Sequence, residues 1–214
     1  MITPVRRIAA IVLAAGESSR MGEPKLLIDL NGKAMIERVA DTLLASRCAP
    51  IIVVVGSEEA AIRALLGNRN IRIVSNAEAA LGMSRSLYFG LAALAGDFGD
   101  DIEAAVICLG DMPDVDTPLI DQLVAAFDPG AEHEIVVPVR GGREGNTGRR
   151  GNPVLWGRRF FPALKAITGD RGGRDLIAAN RRYVVNVQID DERILVDLDT
   201  PSEVAAWRRQ HGQN

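Results

Sequence analysis

A loop rich in glycine, serine and positive charge lies near the amino end of the chain. It follows the apolar run Ile8–Leu13, which predicts a buried strand of a parallel sheet. Residues 13–25 read L-A-A-G-E-S-S-R-M-G-E-P-K, where backbone N–H groups and two cations, Arg20 and Lys25, can surround a polyanionic phosphate. The glycine spacing excludes the kinase-type phosphate loop and the G-x-G-x-x-G dinucleotide pattern. We therefore expect a nucleoside triphosphate loop of another type, with an ordinary Gly/Ser/Pro connection as the alternative.

A second polar segment follows the apolar run at residues 104–109, which also predicts a buried strand. The segment reads G-D-M-P, so Asp111 lies just beyond the carboxyl end of a strand, where open α/β sheets bind ligands. A carboxylate buried there requires an ion or a hydrogen-bond network. Mg²⁺ is the natural ion, because it binds one or two carboxylates together with phosphate oxygens and water. The alternative is that Asp111 caps the following turn, a role that Asp114 and Asp116 could share.

Two predicted helix starts carry polar residues that could also bind a ligand. Residues 82–86 read G-M-S-R-S and open a predicted helix with Ser84 as its N-cap. Hydroxyls and free N–H groups at such a start can also bind anions. Near the carboxyl end, the sequence T-P-S-E at residues 200–203 predicts another capped helix. Asp197 and Asp199 precede it in an extended segment, and we expect only one of them to face any given site.

Residues 140–151 form a segment rich in glycine and arginine and poor in apolar groups. Such a composition predicts a solvated connecting loop. The alternative is a cationic flap that closes over an anionic acceptor, because the planar guanidinium group of arginine binds phosphate through two hydrogen bonds.

The elements that must position these groups alternate between strand and helix. The pattern predicts a short extended segment at 26–30, a turn at 31–33, strands at 8–13, 51–55, 71–74, 104–109, 135–139 and 184–187, and helices at 35–46, 58–66 and 82–95. A further helix begins at Thr117-Pro118, with Thr117 as its cap. This rhythm predicts a Rossmann-like three-layer α/β sandwich around a mostly parallel sheet. We expect a single domain over residues 1–214, with a nucleotide-binding half at 1–112 and an acceptor-binding half at 113–214.

The composition narrows the classes of function. The chain of 214 residues is 47% hydrophobic and only 4% aromatic, which predicts a core mostly of Val, Ile, Leu and Ala. A net charge of −3 and the lack of a basic stripe disfavour nucleic-acid binding. Cys48 and Cys108 lack metal-ligand spacing and indicate a reducing compartment. No apolar run is long enough to cross a membrane or to favour an export signal, so we expect a cytoplasmic protein.

The loop at residues 13–25 resembles the opening motif of the MobA-like nucleotidyltransferases, L-A-A-G-x-S-x-R-M-G-x-x-K. G-M-S-x-S-L at 82–87 and G-D-M-P at 110–113 resemble the nucleotide-contacting and metal-binding segments of that family. G-N-P-V at 151–154 and T-G-D-R-G-G at 168–173 resemble its molybdenum cofactor cytidylyltransferase branch. Ala15 also resembles that branch, because the guanylyl branch usually has glycine at this position. The resemblance covers nearly the whole chain.

The resemblance implies a role for each segment. Arg20 and Lys25 would neutralise the β- and γ-phosphates, while Asp111 would hold Mg²⁺ together with Asp199, or with Asp197 as the alternative. The nucleotide would be contacted by Leu13, Ala14, Ala15, Gly16, Gly82, Ser84 and Ser86. The acceptor would be contacted by Asn152 and Asp170.

The reaction implied is transfer of CMP from CTP to the phosphate of a molybdopterin-type molybdenum cofactor, with release of pyrophosphate and a molybdenum hydroxylase as the client for the product. Such a transfer needs no nucleophilic side chain, and the two histidines, His133 and His211, lie outside every motif. One alternative is a nucleotidyltransferase that uses GTP or a sugar or polyol phosphate. The other is a non-catalytic carrier or maturation factor for the cofactor.

Overall fold

A continuous, mostly parallel β-sheet runs through both halves of the chain. The computed structural model describes residues 7–16, 21–141, 148–169 and 172–212. Within these residues the strands are β1 Arg7–Ala14, β2 Ile51–Val55, β3 Arg72–Ser75, β4 Ile102–Leu109, β5 Ile135–Arg140, β6 Arg149–Arg150, β7 Val154–Gly157 and β8 Val184–Gln188. Their order is β3-β2-β1-β4-β7-β5-β6, and β8 pairs with β5. Strands β1 to β4 are mutually parallel where they pair, as are β5 and β8. Strand β7 is antiparallel to both β4 and β5, and β6 is antiparallel to β5.

Helices cover both faces of this sheet. They are α1 Met35–Leu44, α2 Glu59–Leu66, α3 Met83–Phe98, α4 Thr117–Ala126, α5 Phe161–Lys165, α6 Arg174–Ala179 and α7 Pro201–His211. The buried residues form two hydrophobic clusters, one containing side chains of α1, α2, α4 and α7 and the other those of α3, α5 and α6. This arrangement confirms the three-layer sandwich. No helix among the described residues combines the length and the apolar character needed to span a bilayer.

The first strand explains why the two clusters form. Side chains alternate along a strand, so Ala10 and Val12 pack towards α1 while Ala9 and Ile11 pack towards α3, all of them fully buried. Helix α3 lies very close to the sheet at Gly90, because a Cβ atom there would come within 2.6 Å of Ile11 Cγ2. Because both faces of this strand are buried, a ligand can reach it only at its ends. In open α/β sheets the ligand site lies at the carboxyl end.

Three local expectations were wrong. Residues 26–30 do not form an extended segment, because Lys25–Leu27 is a 3₁₀ turn and only Asp29 pairs in an isolated bridge. Helix α4 is capped by Asp116, whose carboxylate accepts from the Leu119 N–H at 3.0 Å, and not by Thr117. Helix α3 starts from Gly82, with φ of 102° and no side-chain cap, so Ser84 lies inside the first turn.

The glycine- and arginine-rich segment lies only partly within the described residues. Arg149–Arg150 pairs with the end of β5 as strand β6, whereas residues 142–147 lie outside the described residues. Both expectations for this segment, a connecting loop or a flap, therefore stay predictions. The turn at 31–33 is confirmed, with positive φ at both Asn31 and Gly32 as a tight hairpin turn requires.

Candidate active site

Segments far apart in the sequence meet at the carboxyl ends of β1 and β4. The Gly110 N–H donates to the Leu13 carbonyl at 3.1 Å, which joins the loop after β4 to the end of β1. The Leu198 N–H donates to the Asp111 carbonyl at 3.0 Å, which brings the segment before α7 to the same place. Parallel neighbours end at the same edge of a sheet, so the topology places these loops together.

Lys25 links two carboxylates at this edge. Its Nζ atom lies 2.5 Å from Asp111 Oδ2 and 2.7 Å from Asp199 Oδ1. The three side chains are only 14%, 16% and 26% exposed, so the charges interact more strongly than they would on an open surface. The residues predicted as the phosphate-binding lysine and the two metal ligands are therefore brought together, although they lie 86 and 174 positions apart.

Asp197 joins the same group. Oxygen atoms of Asp111, Asp197 and Asp199 all lie within 4.8 Å of one another. The expectation that only one of Asp197 and Asp199 faces the site was therefore wrong. Residues two apart in an extended segment share a face, and the intervening Leu198 is buried in the core on the opposite side.

The arrangement is suited to a divalent cation. Asp111 Oδ1 is buried and has no hydrogen-bond partner among the described residues. An unpaired buried polar atom costs about 1–3 kcal/mol, and an oxygen-binding cation would satisfy it. Among the described residues that form this group, the three carboxylates also outnumber the ammonium group of Lys25. Asp111, Asp197 and Asp199 are thus the residues that fit a metal of the Mg²⁺ type.

The capping box of helix α7 fixes the position of Asp199. The Glu203 carboxylate accepts from the backbone N–H groups of Asp199 and Thr200 at 2.9 and 2.8 Å. Thr200 in turn accepts from the Glu203 N–H at 3.3 Å, as the sequence pattern T-P-S-E predicts. The helix start therefore has a second effect, which is to hold a candidate metal ligand in place.

The electrostatics of the group are visible in two pKa values. Burial lowers the pKa of Lys25, but the nearby Asp111 and Asp199 carboxylates more than offset this and hold it above its ordinary value. Burial raises the pKa of Asp197, and the negative charges of Asp111 and Asp199 raise it further. The raised pKa therefore keeps Lys25 in its cationic form. The raised pKa of Asp197 reflects its partial burial and the negative charges of the two neighbouring carboxylates.

A cleft of about 420 Å³ opens beside these charged groups. Its lining includes eight of the predicted site residues, namely Leu13, Ala15, Gly16, Lys25, Gly82, Ser86, Asp111 and Asp199. Ala14 does not line it, because its side chain packs in the core between the sheet and α1. Arg20 lies outside the described residues, so its predicted phosphate contact stays a prediction. We call this space the charged cleft.

A second cleft of about 540 Å³ lies next to the charged cleft, and the two share Leu13, Met83 and Leu109 as a common wall. Its other walls are mostly apolar, with Leu87, Ile107, Val137, Val154, Trp156, Leu164, Ile167 and Ile177 among them. Asn152 and Ser84 both line this space, and the acceptor contact predicted for Asn152 stays a prediction. Asp170 lies outside the described residues. We call this space the apolar cleft.

The sequence analysis missed two residues that line the apolar cleft and one that holds a residue of the charged cleft in place. Asn76 follows β3 directly, is buried, and donates from Nδ2 to Ser86 Oγ at 3.0 Å. Its place just after a strand is the same signal that identified Asp111, so it could have been found. Trp156 and Arg174 line the apolar cleft but belong to no sequence motif. Trp156 reaches the cleft because β7 lies between β4 and β5 in the sheet, and such a non-local pairing has no local sequence signal.

A charged cleft at the strand ends of a three-layer α/β sandwich, with a lysine beside three carboxylates, is the arrangement expected of a nucleotidyltransferase. Residues 10–184 match the family model of the MobA-like NTP transferase domain. The chain therefore belongs to the MobA-like NTP transferase family.

Curated relatives agree with the family and differ in their named activities. The chain is 26% identical over 204 residues to nicotine blue oxidoreductase of Paenarthrobacter nicotinovorans, covering 92% of this chain and 94% of that protein. It is 27% identical over 212 residues to purine catabolism protein PucB of Bacillus subtilis, covering 94% and 96%. It is 29% identical over 137 residues to a probable molybdenum cofactor guanylyltransferase of Natranaerobius thermophilus, covering 63% and 62%.

Solved structures share the fold. A nucleotidyl transferase from Methanothermobacter thermautotroptrophicus superposes with a TM-score of 0.80 at 25% identity, covering 95% of this chain and 97% of that one. The Mycobacterium tuberculosis protein Rv0371C, in a complex with manganese, superposes with a TM-score of 0.74 at 23% identity, covering 96% and 99%.

Proposed function

We propose that the protein transfers CMP from CTP to the phosphate of a molybdopterin-type molybdenum cofactor and releases pyrophosphate. The observation that carries the proposal is the meeting of Lys25, Asp111 and Asp199 at one edge of the sheet, beside a second cleft lined by Asn152. A relative named as a probable molybdenum cofactor guanylyltransferase supports the class of acceptor. The product would then serve a molybdenum hydroxylase, in the cytoplasm.

In this reaction an oxygen of the acceptor phosphate attacks the α-phosphorus of CTP. The bond from the α-phosphorus to the oxygen bridging to the β-phosphate breaks, and that oxygen leaves with pyrophosphate. Lys25, together with Arg20, would balance the charge of the β- and γ-phosphates as they leave. Catalysis then comes from positioning and charge stabilisation, which are the main contributions in phosphoryl-type transfers.

Mg²⁺ is the proposed cation for the group formed by Asp111, Asp197 and Asp199. When bound, it would neutralise charge on the phosphoryl oxygens. The chain contributes the unpaired Oδ1 atom of Asp111 and the carboxylate of Asp199 that the capping box of α7 orients.

The preference for CTP rests on the resemblance of three segments, at Ala15, at 151–154 and at 168–173, to the cytidylyl branch. Ala15 lines the charged cleft, and its backbone packs against the loop after β2, since a Cβ atom at Gly56 would lie 2.9 Å from the Ala15 carbonyl. The Ala15 methyl carbon would lie 3.2 Å from the same added Cβ atom, so this methyl group faces the loop after β2, and the preference for CTP rests on the sequence resemblance alone.

Two measurements test the proposal. CTP with Mg²⁺ should raise the melting temperature more than GTP with Mg²⁺ does at the same concentration, because a ligand that binds the folded state more tightly stabilises it more. Pyrophosphate should be released when CTP and molybdenum cofactor are both present. A larger shift with GTP would instead indicate a guanylyltransferase, and a sugar or polyol phosphate that replaces the cofactor would indicate another acceptor. Binding of the cofactor without pyrophosphate release would indicate a carrier.

A further inference from the structure

The first turn of helix α3 separates the charged cleft from the apolar cleft. Met83 lines both spaces, Ser86 lines the charged cleft alone, and Ser84 lines the apolar cleft alone. Successive residues of an α-helix are rotated by about 100°, so two serines separated by one residue point in nearly opposite directions. The segment G-M-S-R-S therefore presents one hydroxyl group to each cleft.

The two hydroxyl groups differ in their hydrogen bonding. Ser86 Oγ accepts from Asn76 Nδ2 at 3.0 Å, so its position is fixed by the protein. Ser84 is only 3% exposed, and its Oγ atom has no hydrogen-bond partner among the residues that the structure describes. It does not cap α3, which starts from Gly82. Its backbone N–H donates to the Gly169 carbonyl at 3.3 Å.

A buried hydroxyl group without a partner destabilises the protein that carries it, and such groups require an explanation. Here the explanation is that Ser84 lines the apolar cleft, where a bound ligand would supply the missing hydrogen-bond partner. The apolar cleft has a volume of about 540 Å³, which is the size of a site for a drug-sized ligand. Most of its lining side chains are aliphatic or aromatic, and its polar side chains are those of Ser84, Arg150, Asn152, Arg174 and Asp175. Such a space fits a flat ring system with a polar edge.

We propose that Ser84 is a specificity-determining residue for the acceptor, donating or accepting a hydrogen bond at the polar edge of a fused heteroaromatic ring in the apolar cleft. This inference rests on the proposed function, because it takes the apolar cleft to be the acceptor site. The resemblance of the G-M-S-x-S-L segment implied that Ser84 contacts the nucleotide. The present inference assigns Ser84 to the acceptor instead. The phosphate of the acceptor would then reach the charged cleft across the wall formed by Leu13, Met83 and Leu109.

The test compares Ser84→Ala with its matched control Ser86→Ala. For Ser84→Ala we expect the KM for molybdenum cofactor to rise about tenfold, the loss of one hydrogen bond, with the KM for CTP unchanged. The melting temperature should not fall, because the substitution removes an unsatisfied group. For Ser86→Ala we expect the reverse pattern, in which CTP binding and the melting temperature change and the KM for the acceptor does not.

A second readout does not depend on turnover. A pterin carrying a side-chain phosphate serves as the probe, and its affinity is measured by titration calorimetry with the wild-type protein and both variants. We expect about tenfold weaker binding to Ser84→Ala alone. Equal affinity for wild type and Ser84→Ala, no binding to wild type, or weaker CTP binding in Ser84→Ala would each overturn the inference. Ser84-dependent pterin binding without any pyrophosphate release by wild type would refute the proposed transfer and still support Ser84 as a ligand-binding residue.

Discussion

The two clefts share a wall but differ in chemistry. The charged cleft is bordered by Lys25 and by the carboxylates of Asp111, Asp197 and Asp199. The apolar cleft is bordered mainly by aliphatic side chains and Trp156, and its charged side chains are those of Arg150, Arg174 and Asp175. On the proposed function, the lysine and the three carboxylates lie where the phosphate groups would react, and electrostatic stabilisation is the main contribution to such a transfer. The apolar cleft instead offers apolar contact area and a defined shape, and these would distinguish one bound ring system from another. On the proposed function, the charged cleft would carry out catalysis and the apolar cleft would select the acceptor.

The clefts also differ in how they are built. The charged cleft is formed by the loops that follow β1 and β4, by residues 79–86 at the start of α3, and by the segment before α7, each of them a short stretch of sequence. The apolar cleft collects side chains from strands β4, β5 and β7 and helices α3, α5 and α6. A substitution in the charged cleft should therefore change a single contact with the reacting groups. A substitution in the apolar cleft should instead change the packing of several side chains around the ligand.

The largest expected effect is that of Asp111→Asn. The change removes a charge that pairs with Lys25 and leaves a weaker metal ligand, so pyrophosphate release should fall by about a thousandfold. Pterin binding in the apolar cleft and the folded state should be retained. The measurement is a pyrophosphate assay alongside a melting curve.

Asp97→Asn is the matched control for this prediction. Asp97 pairs with Arg72 at 2.8 Å on the exposed surface of α3, so the same chemical change there should leave turnover unaffected. Normal turnover by Asp111→Asn would refute its role as a metal ligand, and loss of pterin binding would mean that the two clefts do not act separately.

The position of Asp111 could be predicted because it depends on local pattern and on one topological rule. An apolar strand followed by G-D-M-P places a carboxylate at the ligand-binding edge of a parallel sheet whatever the order of the strands. The same rule applies to Lys25, which lies in the loop after β1, whereas Asp199 was expected at the site only from the family resemblance. Both side chains form ion-pair contacts at this edge of the sheet, and their roles stay predictions. Short segments at strand ends are thus readable from sequence.

The apolar cleft could not be predicted in the same way. Strand β7 pairs between β4 and β5 in the antiparallel sense, and no local pattern specifies a partner so far along the chain. The serine at position 84 was assigned as a cap because serine favours that position, but Gly82 adopts a positive φ and starts the helix two residues earlier. Tertiary contacts decided both features.

Lys25→Met should have the second largest effect. The side chain keeps its length but loses its charge, so transfer should slow by about a hundredfold. Without the ammonium group the three carboxylates repel one another in the metal-free protein, and each kcal/mol lost would lower the melting temperature by about 2–4 °C. Mg²⁺ should then raise the melting temperature more in the variant than in wild type.

Thermal melting with and without Mg²⁺ measures this prediction. Lys33→Met is the control, because Lys33 pairs with Asp41 at 2.8 Å on the surface and away from the clefts. An equal metal-induced shift in wild type and Lys25→Met would mean that Lys25 does not balance the charge of the carboxylate group.

Gly173→Ala should change the apolar cleft and leave the charged cleft intact. A Cβ atom at Gly173 would lie 2.3 Å from Cζ2 of Trp156, whose ring is buried and packs edge-on against Phe160. The indole must therefore move, and we expect the KM for the acceptor to rise about tenfold, since misplaced positioning groups reduce reactivity. The KM for CTP should stay constant. Gly96→Ala is the control, because a Cβ atom at Gly96 meets nothing within 4 Å.

The smallest expected effect is that of Asp197→Asn. Burial and the charges of Asp111 and Asp199 raise the pKa of Asp197 in the folded protein, so the folded state binds this proton more tightly than the unfolded chain. Stability is therefore lost as the pH rises from the unfolded pKa through the raised folded pKa, and at neutral pH the ionised carboxylate destabilises the metal-free protein. Asp197→Asn should accordingly raise the melting temperature slightly at pH 7, with the difference from wild type shrinking towards acidic pH.

The same variant compares the members of the carboxylate group. Asp199 is paired with Lys25 and held by the capping box, whereas Asp197 is only partly shielded from solvent and is the more exposed of the two, so Asp199→Asn should reduce the Mg²⁺-induced rise in melting temperature more than Asp197→Asn does. Melting curves over a pH series with and without Mg²⁺ measure both quantities. If Asp197→Asn lowers the neutral-pH melting temperature of the metal-free protein, the excess of negative charge at this edge is already balanced by the chain itself, and the charged cleft has less need of a divalent cation than its three carboxylates suggest.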